Sequence, residues 1–185
     1  GTAGELVVVF APQSAPWHGA RALFGAAVAF LAMFVTVVAD ATVRAAWIPI
    51  VGAIAFVAAY LLASMPSLAR LLLHERDVDD AVLRAARAAF LERGVHRTRD
   101  RSGVLVFVSL LERRVQILGD EGIHATVGDA GWRQYAERIV DAVRAEDAGA
   151  FAAVISDIGE VLSRAFPRRA DDVNELPDEV VVQRS

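Results

Sequence analysis

The sequence predicts an α/β protein in which a small layered domain is interrupted by a two-helix transmembrane hairpin. Three observations point there. Residues 22–39 and 45–69 run without a charged side chain. Residues 5–10 (ELVVVF) and 103–110 (GVLVFVSL) are short β-branched runs of the kind buried on both faces of a sheet. Later segments place apolar residues at helical spacing.

Composition narrows the classes. The 185 residues are 55% apolar with a mean hydropathy of +0.41, and the excess lies between residues 22 and 73. The 19 basic side chains are all arginine, which reads as a bacterial composition. Net charge is -4, and no basic block is longer than Arg113–Arg114 or Arg168–Arg169. The phosphate-neutralising surface of a nucleic-acid binder is therefore not expected. Without cysteine, disulfides, thiolate metal sites and thiol catalysis are excluded together. The chain begins at Gly1 rather than Met, so a processed or partial chain with further sequence upstream is expected.

At about 1.5 Å per residue the two uncharged runs would reach roughly 27 and 37 Å, enough for a hydrocarbon core of about 30 Å. Neither shows the polar stripe of a helix lying on a soluble core. The connection Asp40–Arg44 is short, so the helices should be antiparallel with both ends of the hairpin on one side. Arg70, His74, Arg76, Arg84 and Arg87 follow the second run, whereas Arg44 alone sits in the turn. The positive-inside rule then places both ends, and the soluble domain, in the cytoplasm of a bacterium, with the hairpin in the inner membrane. Trp17 and Trp47 fall where interfacial aromatics sit. Small residues at Gly25, Ala29 and Ala32 can pack on Gly52, Ala55 and Ala59. That arrangement leaves Phe24, Phe30, Phe34, Phe56 and Tyr60 to face lipid or the subunits of a membrane complex.

Around the hairpin, the residues outline one domain. Residues 1–14 carry its first strand, 20–70 the hairpin, 77–166 its remainder and 167–185 an extended tail. Strand 103–110 turns at Glu112 and Arg113 into a half-exposed strand over 114–118. One helix is expected from Asp77 or Asp79 to Arg93 with Gly94 as its stop, a second from about Asp129, and a third over 151–165 ended by Pro167. Val180–Val182 can form a short edge strand. Strand 5–10 has no local partner, so it should join the sheet beyond residue 100.

These pieces together resemble the TPM domain family, in the bacterial membrane branch whose domain is interrupted by a transmembrane hairpin. The resemblance rests on Thr2–Phe10 (TAGELVVVF), Ala89–Arg93 (AFLER) with Thr98, Gly103–Arg113 (GVLVFVSLLER), Val115–Ile123 (VQILGDEGI), Trp132, and the NELPD within Phe166–Val182. The family's usual helix before the first strand is absent here. What the resemblance implies is a choice: some relatives are described as acid phosphatases, some as calcium binders, others as accessory proteins in the assembly or repair of photosynthetic complexes or the trafficking of receptors.

The chemistry legible in the residues is sparse. No Gly-rich phosphate loop, nucleophile elbow or EF-hand loop occurs, and no catalytic residue is assigned. Asp100, Asp120 and Glu121 should gather at one end of the sheet, where they can hold Ca²⁺ through oxygen ligands. The competing reading is a solvated loop whose acids offset Arg97, Arg99 and Arg101. His96 and His124 are isolated, and Trp132 and Tyr135 sit at core spacing with Ile139 and Val143. Two functions follow: a non-enzymatic scaffold or accessory subunit of a larger membrane complex, of photosynthetic or respiratory type, or a membrane-tethered, metal-dependent acid phosphatase. Lipid and other membrane subunits are the expected partners, and no cofactor is required by the first reading.

Overall fold

Leu6, Val7, Val8 and Val9 favour extended backbone, and Pro12 ends the run, giving β1 (Leu6–Ala11). The computed structural model describes residues 4–39, 44–98, 101–167 and 180–182, apart from the side chains of 124–126, 129 and 180–182. The turn over 40–43, Asp100 and residues 168–179 therefore lie outside the described residues. In chain order, β1 is followed by α1 (His18–Ala39), α2 (Trp47–Leu62), α3 (Pro66–Leu72), α4 (Glu75–Glu92) and a single 3₁₀ turn (Val95–Arg97). Then come β2 (Val104–Ser109), β3 (Arg114–Gly119), α5 (Glu121–Arg144), α6 (Ala148–Ala165) and β4 (Val180–Val182). Contacts divide the chain into one unit of residues 1–15 with 78–185 and another of residues 16–77.

The first unit is a four-stranded sheet in the order β3-β2-β1-β4. β1 pairs in parallel with β2, Val8 opposite Val106, and with β4, Val9 opposite Val181. β2 pairs antiparallel with β3, Val106 opposite Ile117, through a turn in which Arg113 takes a left-handed φ of 53°. Alternation then sorts the side chains. Val8, Val104, Val106, Val108 and Ile117 face a core closed by Ile123, Trp132 and Ile139 of α5 and by Val154, Ile158 and Leu162 of α6. Val7, Val9, Leu105 and Phe107 are buried on the opposite face. α4 lies on that side: its Leu83 and Arg87 line a groove with Gln116 and Leu118 of β3, and its inner stripe of Val78, Val82, Ala86 and Ala89 is buried.

Helix ends follow local chemistry. Asp147 caps α6 by accepting from the Ala150 N–H at 2.9 Å, which starts the helix a few residues before the apolar stripe does. Gly94, at φ 69°, stops α4. The helix expected from about Asp129 runs from there to Arg144, and a shorter helical stretch precedes it within α5: Asp120 caps that stretch at Glu121, and the non-helical Gly128 (φ 70°, ψ 167°) separates the two. Asp120 and Glu121 therefore belong to a helix start, not to a solvated loop.

The second unit holds α1, α2 and α3. Among the described residues one helix, α1, is long and apolar enough to cross a membrane, and only 11% of its most apolar stretch is buried. The expected second span over 45–69 is not one helix. α2 ends at Leu62, and α3 departs at 101°. Pro66 is the physical reason: the residue before a proline is pushed out of the α region, and Met65 takes φ −68°, ψ 133°. α2 alone, at about 1.5 Å per residue, reaches roughly 24 Å. α1 and α2 are nonetheless antiparallel partners, with Phe56 of α2 against Gly25 and Met33 of α1 against Gly52. A Cβ at Gly25 would meet the Phe56 ring at 3.0 Å, and one at Gly52 would meet Met33 Sδ at 2.7 Å. Gly25, Ala29, Gly52 and Ala59 are buried in that seam.

Candidate functional site

The first unit carries two polar clusters, at opposite ends of its sheet. One lies where the parallel strands begin. Asp120 is 7% exposed; its Oδ1 accepts from the Glu121 N–H at 2.8 Å, and its backbone N–H donates to the Gly103 carbonyl at 2.9 Å. Arg101, held at φ 53°, reaches both acids: its Nε lies 3.8 Å from Asp120 Oδ1 and its Nη2 3.2 Å from Glu121 Oε2. Asp120 Oδ2 is buried and has no hydrogen-bond partner among the described residues.

Of the three acids expected to gather here, Asp120 and Glu121 are adjacent, and Asp100 lies outside the described residues. A Ca²⁺ ion takes roughly six to eight oxygen ligands. Here the counter-charge is the Arg101 guanidinium, 3.8 Å from Asp120 Oδ1 and 3.2 Å from Glu121 Oε2. As arranged, the described residues do not fit a divalent cation. No group of three or more His, Asp or Glu side chains that could hold a metal occurs among the described residues.

The second cluster lies at the carboxyl ends of β1 and β2, where open α/β sheets usually place their ligands. Ser14 Oγ donates to Ser109 Oγ at 2.7 Å, Ser109 Oγ donates to Glu112 Oε2, and the Ser14 N–H donates to Glu112 Oε1 at 3.0 Å. Ser109 is fully buried and Glu112 nearly so. A hydroxyl at that depth cannot meet a substrate. The network instead extends the β1–β2 pairing beyond the strands, together with the Leu110 N–H on the Ala11 carbonyl and the Leu111 N–H on the Pro12 carbonyl, both at 3.0 Å. Glu112 was expected only as a turn residue, and Ser14 and Ser109 were not singled out. A serine closing an otherwise apolar inner strand, three residues before a glutamate in a turn, is the signal that could have found them.

His96, Trp132 and Tyr135 pack against neighbouring rings. His96 is half-buried, 6.3 Å from the Phe90 ring; the His124 side chain lies outside the described residues. Trp132 is 5% exposed, and Tyr135 lies 6.3 Å from it.

In the helical unit the five aromatics separate. Phe30 and Phe34 are 68% and 58% exposed. Phe56 packs on Gly25 and stacks on Tyr60 at 6.1 Å, and the Tyr60 hydroxyl lies 3.2 Å from His18 Nδ1. Phe56 and Tyr60 are half-buried, with contacts across the α1–α2 seam. Phe24 is half-buried.

The fold and these clusters describe a small α/β unit with a helical insertion after its first strand. Residues 70–161 match the model of the TPM domain family. No curated protein matches the chain. Among solved structures, the NMR structure of the BA42 protein from the psychrophilic bacterium Bizionia argentinensis is similar, with a TM-score of 0.57 and 18% identity, over 98% of this chain and 82% of that one. At that identity the likeness speaks for the fold alone.

Proposed function

We propose that the protein is a membrane-anchored, non-enzymatic accessory subunit of a larger membrane protein complex. The observation that carries this reading is the outer face of α1, where Leu23, Phe30, Phe34 and Val38 are 75%, 68%, 58% and 68% exposed. An apolar face of that size favours lipid or another membrane subunit over water. In this reading α1 and α2 enter the inner membrane as a hairpin from the cytoplasm. The broken second helix finishes its crossing with α3 lying along the interface, and Arg70, His74 and Arg76 remain on the cytoplasmic side. The seam residues hold the hairpin together, and Phe30 and Phe34 meet the partner.

The test is the mass of the detergent-extracted complex. The native chain is expected to elute in a stoichiometric assembly well above its own 19.8 kDa. Phe30→Ala with Phe34→Ala is expected to release it without loss of membrane insertion, since neither change adds charge. Unchanged co-purification of the double variant would show that the spans only anchor.

The buried, unpartnered Oδ2 of Asp120 favours a second reading, a phosphatase centred on Asp120 and Glu121. It requires Arg101 to give way to a cation or a phosphoryl group. Its test is turnover of a generic phosphomonoester with and without Ca²⁺. The accessory reading expects none, and turnover lost in Asp120→Asn would favour the enzyme.

A further inference from the structure

β3 is the outer strand of the sheet, and its outer edge is unpaired among the described residues. The Asp120 N–H points inward, to the Gly103 carbonyl. In an antiparallel ladder the backbone groups alternate, so those of Val115, Ile117 and Gly119 point outward. Proteins usually blunt such an edge or cover it. Here it forms the wall of a groove of about 520 Å³, flanked by Leu83 and Arg87 of α4 on one side and Trp132 and Arg133 of α5 on the other. Gly119 keeps the end of the edge narrow, with the Trp132 ring 3.5 Å from where a Cβ would stand.

We propose that this groove binds an extended acidic segment of a partner protein, which adds to β3 as a fifth strand. Six residues of β3, at about 3.4 Å each, present roughly 20 Å of edge, enough for a five- or six-residue strand. Successive side chains of an added strand point to opposite faces, and each face of the groove offers one arginine. Arg87 and Arg133 are exposed, and no ion pair engages either among the described residues. Asp79, on the same helix as Arg87, is already held by Arg114 at 3.0 Å. Two adjacent acids in the incoming strand would therefore meet one arginine each. A second copy of this chain is the poorer occupant, because edge-to-edge pairing would oppose the arginines of one copy to those of the other. The inference concerns the α/β unit and stands apart from the proposed contact through Phe30 and Phe34.

The test uses the full chain in detergent micelles and a capped peptide of threonine-valine-glutamate-glutamate-valine-threonine, with a counterpart carrying lysine in place of glutamate. The acidic peptide is expected to bind and to slow hydrogen exchange at Val115, Ile117 and Gly119, and the lysine peptide is expected not to bind. Arg87→Glu with Arg133→Glu should weaken the acidic peptide by about tenfold or more and admit the lysine peptide. Both positions are exposed, so the variant should keep the native exchange pattern of β2. Equal binding of the two peptides, binding of neither, or protection away from β3 would overturn the proposal. Protection of β3 that grows with protein concentration without peptide would assign the edge to a second copy instead.

Discussion

Truncating Phe107 to alanine is expected to cost the α/β unit about 3–5 kcal/mol, the range for deleting a large buried aromatic. Phe107 is fully buried and sits on β2, between β1 and β3. Its strand neighbours are paired on both sides, so the backbone cannot collapse into the void. Because a whole domain is stable by only about 5–15 kcal/mol, most of the margin should go. Urea titration of the solubilised chain, read by hydrogen exchange at the β2 amides, measures it. A loss below about 1 kcal/mol would mean that this face of the sheet is not a packed core.

Replacing Gly103 by alanine is expected to be nearly as damaging for the opposite reason. A Cβ there would stand 2.2 Å from the Val95 carbonyl oxygen and 2.8 Å from Val95 Cγ1. The obstacle is backbone, which cannot rotate away as a side chain can. Either the 3₁₀ turn or the start of β2 must move, and the Gly103 carbonyl would then lose the Asp120 N–H that seats α5. A cost of about 3 kcal/mol, the upper range for overpacking, is expected in the same titration. Gly159 is the contrasting position: it lies within α6, and a Cβ there meets nothing within 4 Å. Gly159→Ala should stabilise by about 0.5–1 kcal/mol through helix propensity alone. Equal effects at the two positions would remove the steric argument.

The strands were legible because residues 6–9 and 104–108 are apolar without interruption, and a doubly buried strand needs partners on both sides. That reasoning leads directly to the pairing of β1 with β2 across the insertion. The break in the second apolar run was not legible, because hydropathy sums side chains whereas the break depends on backbone. Residues 45–69 carry no charge, but Pro66 dictates the conformation of Met65. The stretch of α5 before Gly128 was hidden for a related reason. Gly122 and Gly128 dilute helix propensity, and the helix depends on the Asp120 cap and on Ile123 reaching the core. Arg101 is one of the three arginines expected to offset these acids, and although they lie nineteen and twenty residues on, the β2–β3 hairpin brings both to it. Phe56 and Tyr60 share the composition of Phe30 and Phe34. Only the seam with Gly25 separates them.

In the proposed topology the chain leaves the cytoplasm after β1 and returns before α4, so that one sheet is built from both flanks of a membrane insertion. Cysteine labelling with an impermeant reagent in intact cells tests it most directly, because the native chain has no cysteine to interfere. Ala45 and Ala153 are both exposed, one beside the turn of the hairpin and the other on α6. Ala45→Cys is expected to label from outside, and Ala153→Cys to label only after permeabilisation. Labelling of Ala153→Cys in intact cells, or protection of both positions, would contradict the account.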